Sequence, residues 1–232
     1  TFDVDSGEAK YDATEDSSIS GITTYYTNNF YGKKLSKQHD VLKIEINGVD
    51  PKSLIVTTKY GDVLPSSSDL AGATVELIAT ESREKQLKNV LERLRSDYDV
   101  ILVDCPPSLE MLTLNGLCAC DGILVPVQCE YFALEGLSDL MSTLRTVKRR
   151  MNPDLEIFGV LLTMYDGRTN FCAQVAQEVR RHFPGKVFAT VIPRNVRLAE
   201  APSHGIPVTV YDRSSKGSLA YKALAEEVGQ RL

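Results

Sequence analysis

YDVILVDCPPS, residues 98–108, runs four aliphatic side chains together at Val100–Val103, ends them on Asp104 and then breaks at Pro106 and Pro107. An aliphatic run without polar alternation predicts a strand buried on both faces, the hallmark of a parallel sheet covered by helices. The two prolines fix φ and remove two amide donors, so the chain must leave the sheet abruptly and hold the carboxylate in a rigid turn. An aspartate after a strand commonly serves as a turn residue or helix cap. At the carboxyl edge of an open α/β sheet, where ligands bind, it can instead hold a metal-bound phosphate.

Working outward from this stretch, short aliphatic runs alternate with helical periodicity. Strands are expected at Ser53–Thr58, Asp62–Pro65, Val100–Asp104, Gly122–Val127, Ile157–Met164 and Val187–Ile192. Between them, Arg83–Ser96 places Leu87, Val90, Leu91 and Leu94 on one helical face, and Ala133–Met151 does the same with Leu134, Leu137, Leu140, Met141, Leu144 and Val147. A third helix carries Val175, Val179 and Phe183, and a fourth Leu219, Leu224 and Val228. These stripes are core positions. The pattern predicts an α/β fold, a mostly parallel sheet with helices on both faces. Residues 1–38 differ, being polar, rich in Ser, Thr and Asn, and without a clean period. They form a separate segment or insertion ahead of an α/β domain at 39–232.

With 232 residues, 43% hydrophobic and 25% charged, the chain has globular composition. Its net charge of −5 opposes coating nucleic acid over its whole surface, so any DNA contact must be local. No apolar run approaches the length of a membrane span and no charged-then-apolar leader opens the sequence, which leads to the expectation of a soluble, cytoplasmic protein. Cys105, Cys118, Cys120, Cys129 and Cys172 contain no CxxC pair, and the three histidines are scattered, so reduced thiols are favoured over a metal site.

The run YDVILVDCPPSLEMLTLNGLCACDGILVPVQCEYFALEGL resembles the Walker B region of the ParA/Soj/MinD deviant Walker ATPases, and most closely the ParA/Soj partitioning branch. The resemblance continues through GVLLTMYDGRTN, VIPRNVRLAEAPSHGIPV and YDRSSKGSLAYKALAEEV, and covers about residues 39–232. It implies a P-loop NTPase-like fold of the SIMIBI type, ATP and Mg²⁺ as cofactors, and dimerisation on ATP. It also implies nonspecific DNA binding by that dimer, stimulation by a ParB/Spo0J-like partner and a nucleoid-associated location. Asp104 matches the aspartate that binds Mg²⁺ through water, a role suited to a cation that keeps much of its hydration. Pro193, Arg194 and Asn195 match the loop around the adenine base; without the resemblance, IPRN reads as a plain strand-to-helix connection. Arg168 and Arg197 match positions used for nonspecific DNA binding; on the residues alone they read as solvated surface arginines. The run Lys148–Arg150 reads as a helix end, where cations complement the dipole. A membrane-bound MinD-like regulator is disfavoured because LAYKALAEEVGQRL mixes acids into its polar face.

A phosphate-binding loop needs glycines that let backbone amides approach, then Lys and Ser/Thr at a helix start. The family's KGGxGKT form is absent from the 232 residues, and Gly32-Lys33 and Gly185-Lys186 lack its spacing. The stretch FDVDSGEA offers Asp3 and Asp5 opposite the family's VDxDPQ, with Asp5 as the residue that would orient the attacking water. On that alignment the first strand and P-loop would precede Thr1; otherwise the N-terminal segment is a replacement. Either way the expectation is an ATPase fold with impaired turnover, and the alternative is a pseudo-ATPase acting as a DNA- or protein-interaction module.

Overall fold

The computed structural model describes residues 50–58, 60–65, 77, 80–105, 109–130 and 132–232, with backbone alone at 132–135 and in four two-residue strands near the N-terminus. Those strands form two small antiparallel ladders: β1 (Phe2–Asp3) with β2 (Glu8–Ala9), and β3 (Asn29–Phe30) with β4 (Lys33–Lys34). Asp5, the trace HDVLK and the prolines after Cys105 lie outside the described residues. The chain divides into two compact units, one of residues 1–120 with 202–207, the other of residues 121–201 with 208–232.

In the first unit, Asp50 caps a 3₁₀ turn at Pro51–Leu54, accepting from Lys52 N at 3.2 Å, where a strand beginning at Ser53 was expected. Pro51 at the first turn position has no amide to lose, which favours the turn over the strand. The strand that follows, β5 (Val56–Thr58), pairs antiparallel with β6 (Gly61–Val63), so this is a hairpin rather than a parallel element. Helix α1 (Gln86–Glu92), entered through a 3₁₀ turn at Arg83–Lys85, is shorter than the apolar stripe suggests. It packs beside α2 (Met111–Ala119). Buried Asn115 joins them: its carbonyl accepts from Leu87 N at 3.1 Å and its amide donates to Arg83 O and Met111 O. A buried amide is tolerable only when satisfied in this way.

The second unit carries the parallel sheet. Strands β7 (Gly122–Gln128) and β8 (Glu156–Thr163) run parallel, with a bulge that leaves Phe158 as the extra residue opposite Ile123/Leu124. The segment 187–193 lies alongside β8 through bridges Val160–Val187 and Tyr165–Pro193. One face of this sheet buries Val125, Val127, Val160 and Leu162 against Leu137 of α3 (Phe132–Arg150) and Val175, Ala176 and Val179 of α4 (Asn170–His182). The other face buries Leu161, Phe188 and Ile192 against Leu224 of the last helix, α7 (Lys216–Gly229). Helices thus cover both faces of β8, as its continuous apolar run predicts, whereas β7 alternates, burying Val125 and Val127 and leaving Leu124 and Pro126 exposed. Two short helices, α5 (Val196–Glu200) and α6 (Val208–Tyr211), lie between and contact α7.

The expected strand at Val187–Ile192 is interrupted. Phe188 N donates to Val160 O and Ile192 N to Leu162 O, so two extra residues stand on the 188–192 side. The amides of Ala189 and Thr190 turn to Glu227 of α7 at 2.8 and 2.9 Å. A carboxylate from a packed helix has taken the donors that a continuous strand would give to its neighbour.

Candidate functional site

Asp104 ends an extended but irregular stretch. Val100–Val103 pair with no strand among the described residues, and Leu102 is 89% exposed. The strand expected there is therefore not formed as a ladder: aliphatic side chains set the extended shape, but ladder hydrogen bonds need a neighbour on at least one side. The carboxyl of Asp104 is pushed above its usual range by desolvation, although the residue still reaches solvent. The thiol of Cys105 is pushed up too, by desolvation and then by Asp104. Gly116 on α2 allows this close approach, because a Cβ there would sit 2.6 Å from the Cys105 sulfur. Desolvation disfavours the ionised carboxylate here, and a divalent cation beside it would draw it back to the ionised form. Among the described residues no three His, Cys, Asp or Glu side chains form a ready cation cage. A Mg²⁺ held at Asp104 would draw its remaining ligands from water and phosphate, which is its habit.

In the second unit, the carboxyl ends of β8 and of the 187–193 segment meet at one edge. Met164, in left-handed conformation with φ 53°, turns the chain out of β8. Tyr165 then pairs with Pro193, and Arg194 N donates to Tyr165 O at 3.1 Å. This brings the predicted base loop, Pro193, Arg194 and Asn195, beside the DGRT turn that carries Arg168. Thr169 caps α4, accepting from Cys172 N at 3.3 Å. Asn195 caps α5, accepting from Arg197 N at 2.9 Å, so its side-chain carbonyl is committed locally.

Each nominated DNA arginine is held by carboxylates of this chain. Arg168 donates from Nε and Nη2 to the two oxygens of Asp166 at 2.9 and 2.7 Å, yet its side chain is 88% exposed. The Asp166 carboxyl is held at about 2, chiefly by its hydrogen bonds from the Arg168 side chain and backbone. Arg197 donates from Nη1 to Glu200 at 2.7 Å and lies with Nε 3.3 Å from Asp212. Tyr211 donates to the same Glu200 oxygen at 3.3 Å. The sequence reading passed over Asp166, Glu200 and Asp212. The only signals were spacings: an acid two residues before Arg168, and one three residues after Arg197 on a helix.

Residues 20–157 match a family described as an AAA domain. The chain is 50% identical over 198 residues to the sporulation initiation inhibitor protein Soj of Bacillus subtilis, covering 84% of this chain and 78% of that protein. It is 51% identical over 173 residues to the chromosome partitioning protein ParA of Myxococcus xanthus, covering 75% of this chain and 61% of that one. The chain belongs to the ParA/Soj family of chromosome-partitioning ATPases. Solved structures similar to this ParA/Soj-family chain include a cobyrinic acid a,c-diamide synthase from Mycobacterium smegmatis with bound ADP and magnesium, 37% identical at TM-score 0.67 over 81% of this chain and 69% of that one. They also include the cell division ATPase MinD of Pyrococcus furiosus, 25% identical at TM-score 0.65 over 83% of this chain and 76% of that one. The P-loop ATPase fold and the family's use of ATP and Mg²⁺ are in keeping with these neighbours. Among the described residues of this ParA/Soj-family chain, no helix is long and apolar enough to cross a membrane.

Proposed function

We propose that this chain serves chromosome or plasmid partitioning as the Mg²⁺- and DNA-binding part of a ParA/Soj-type ATPase. Asp104 would hold Mg²⁺ through water, Pro193–Asn195 would contact the adenine base, and Arg168 and Arg197 would contact DNA phosphates without reading sequence. ATP-dependent dimerisation, stimulation by a ParB/Spo0J-like protein and a cytoplasmic, nucleoid-associated location belong to the same reading. The observation that carries it is the meeting of the DGRT and IPRN turns at one sheet edge, bridged at Tyr165–Pro193, which places two motifs of the partitioning branch in one loop cluster.

Phosphoryl transfer depends on positioning and charge neutralisation, most of which a P-loop supplies. Since the 232 residues contain no KGGxGKT stretch, they should by themselves bind MgATP weakly and hydrolyse it negligibly. Asp5 is the residue we propose to orient the attacking water once the phosphates are cradled.

The test compares the chain alone with the chain joined behind the P-loop segment of the Bacillus subtilis Soj. Turnover is expected only from the joined protein, stimulated by ParB and DNA, and lost by at least a hundredfold on Asp104→Ala. Micromolar MgATP affinity of the chain alone, by titration calorimetry, would refute the impairment. A joined protein that binds DNA without turnover would favour the interaction-module reading instead.

A further inference from the structure

We infer that Asp166, Glu200 and Asp212 act as intramolecular competitors of DNA phosphate at Arg168 and Arg197, so that DNA meets guanidinium groups already partly engaged and carboxylates that oppose it. The inference rests on the reading of those two arginines as DNA contacts and goes beyond it by naming the groups that restrain them.

The argument starts from donor counting. A guanidinium has five N–H donors, and its strong contacts to phosphate use two of them side by side. Arg168 has given its Nε and Nη2 donors to Asp166 as a bidentate pair. Arg197 has given Nη1 to Glu200, and its Nε faces Asp212. Charge counting points the same way: Arg168, Arg197 and Arg194, which also acts on Asp166, stand against three carboxylates, so the cluster carries no net positive charge for phosphate. The arginines are nonetheless reachable, at 88% and 47% side-chain exposure, and exposed ion pairs exchange readily. Asp166 and Asp212 also have structural duties that an amide can keep. Asp166 accepts from Arg168 N at 3.1 Å, and Asp212 accepts from Ser214 N and Ser215 N at 3.2 and 3.0 Å. Asn at either site retains that acceptor while removing the charge.

The experiment is fluorescence anisotropy of the chain joined behind the P-loop segment of the Bacillus subtilis Soj, with MgATP, against a labelled mixed-sequence duplex at low salt. It covers the wild type, Asp166→Asn, Glu200→Gln, Asp212→Asn and the triple variant, with thermal melts to confirm folding. Each neutralisation is expected to tighten binding about 2- to 5-fold, and the triple variant about 10-fold or more, as the worth of exposed pairs allows. Adding Arg168→Ala and Arg197→Ala to the triple variant should abolish the gain. Asp154→Asn makes the same charge change at the amino end of β8 and should shift affinity little. If Asp154→Asn tightens binding as much as Asp166→Asn, the effect is general charge and the inference fails. It fails also if neutralisation leaves affinity unchanged or weakens it while Arg168→Ala still lowers it, which leaves the DNA reading standing. Absence of binding in every variant would overturn both.

Discussion

At the scale of single residues, Glu227 shows how one side chain can set a loop it does not belong to. Its carboxylate accepts from the consecutive amides of Ala189 and Thr190 and pairs with Arg231 at 2.7 Å. Arg231 in turn lies over the Phe188 ring at 3.9 Å and donates to the carbonyls of Lys186 and Val187. Desolvation, the largest single influence, raises the Glu227 pKa, but the Thr190 and Ala189 amides, the Thr190 side chain and Arg231 together bring it to about 2. A carboxyl depressed on folding contributes stability above its unfolded value, and that contribution is lost as pH falls through the folded one. Glu227→Gln is therefore expected to cost about 1–2 kcal/mol at neutral pH. The gap between the two proteins should close toward about pH 3. Urea denaturation at both pH values measures it, and an equal gap at both would mean that charge is not what Glu227 supplies.

At the scale of elements, the bulge in β8 and the ring beneath it are one construction. Phe188 is fully buried and occupies the space a Cβ on Gly159 would need. Phe158, the bulged residue, lies beside it with ring centroids 6.1 Å apart. Gly159→Ala should therefore overpack the sheet and destabilise by about 1–3 kcal/mol. The same change in a Phe188→Leu background should cost distinctly less, because the clashing ring is gone. A double-mutant cycle by chemical denaturation reads the coupling, and strict additivity would show that the glycine serves something other than the ring. This pair also marks where sequence reading stopped. Continuous aliphatic runs placed β7, β8 and the helices over them, because burial leaves a mark in composition. Where backbone donors are diverted leaves none: Ala189 and Thr190 read as strand residues, and only Glu227, far along the chain, bends them away. The same holds for Val100–Val103, whose apolarity predicts a strand but not that they pair with none among the described residues. In the candidate site, the motifs gave Arg168, Arg197 and the IPRN loop. The carboxylates that hold the arginines come from separate turns and helices, and Asp212 has no spacing that would have tied it to Arg197.

At the scale of the whole molecule, charge decides how DNA can be engaged. The chain carries a net charge of −5, so on the proposed reading an approaching duplex would be repelled at long range and held by short-range contacts. If those contacts are Arg168 and Arg197, about two phosphates are neutralised per chain. Counterion release then gives log K against log salt a slope of about −2 for duplex DNA, since each neutralised phosphate contributes about −0.9. Arg168→Ala should weaken binding at every salt concentration and reduce the slope by about one. The basic end of α3, Lys148–Arg150, is the alternative source of contacts; as a helix-end feature it should leave the slope unchanged when Arg149 and Arg150 are replaced by Gln. Anisotropy titrations across a salt series decide between them. A slope that falls by about two on replacing Arg149 and Arg150, and not at all on Arg168→Ala, would move the DNA surface to the helix end and away from the DGRT and IPRN turns.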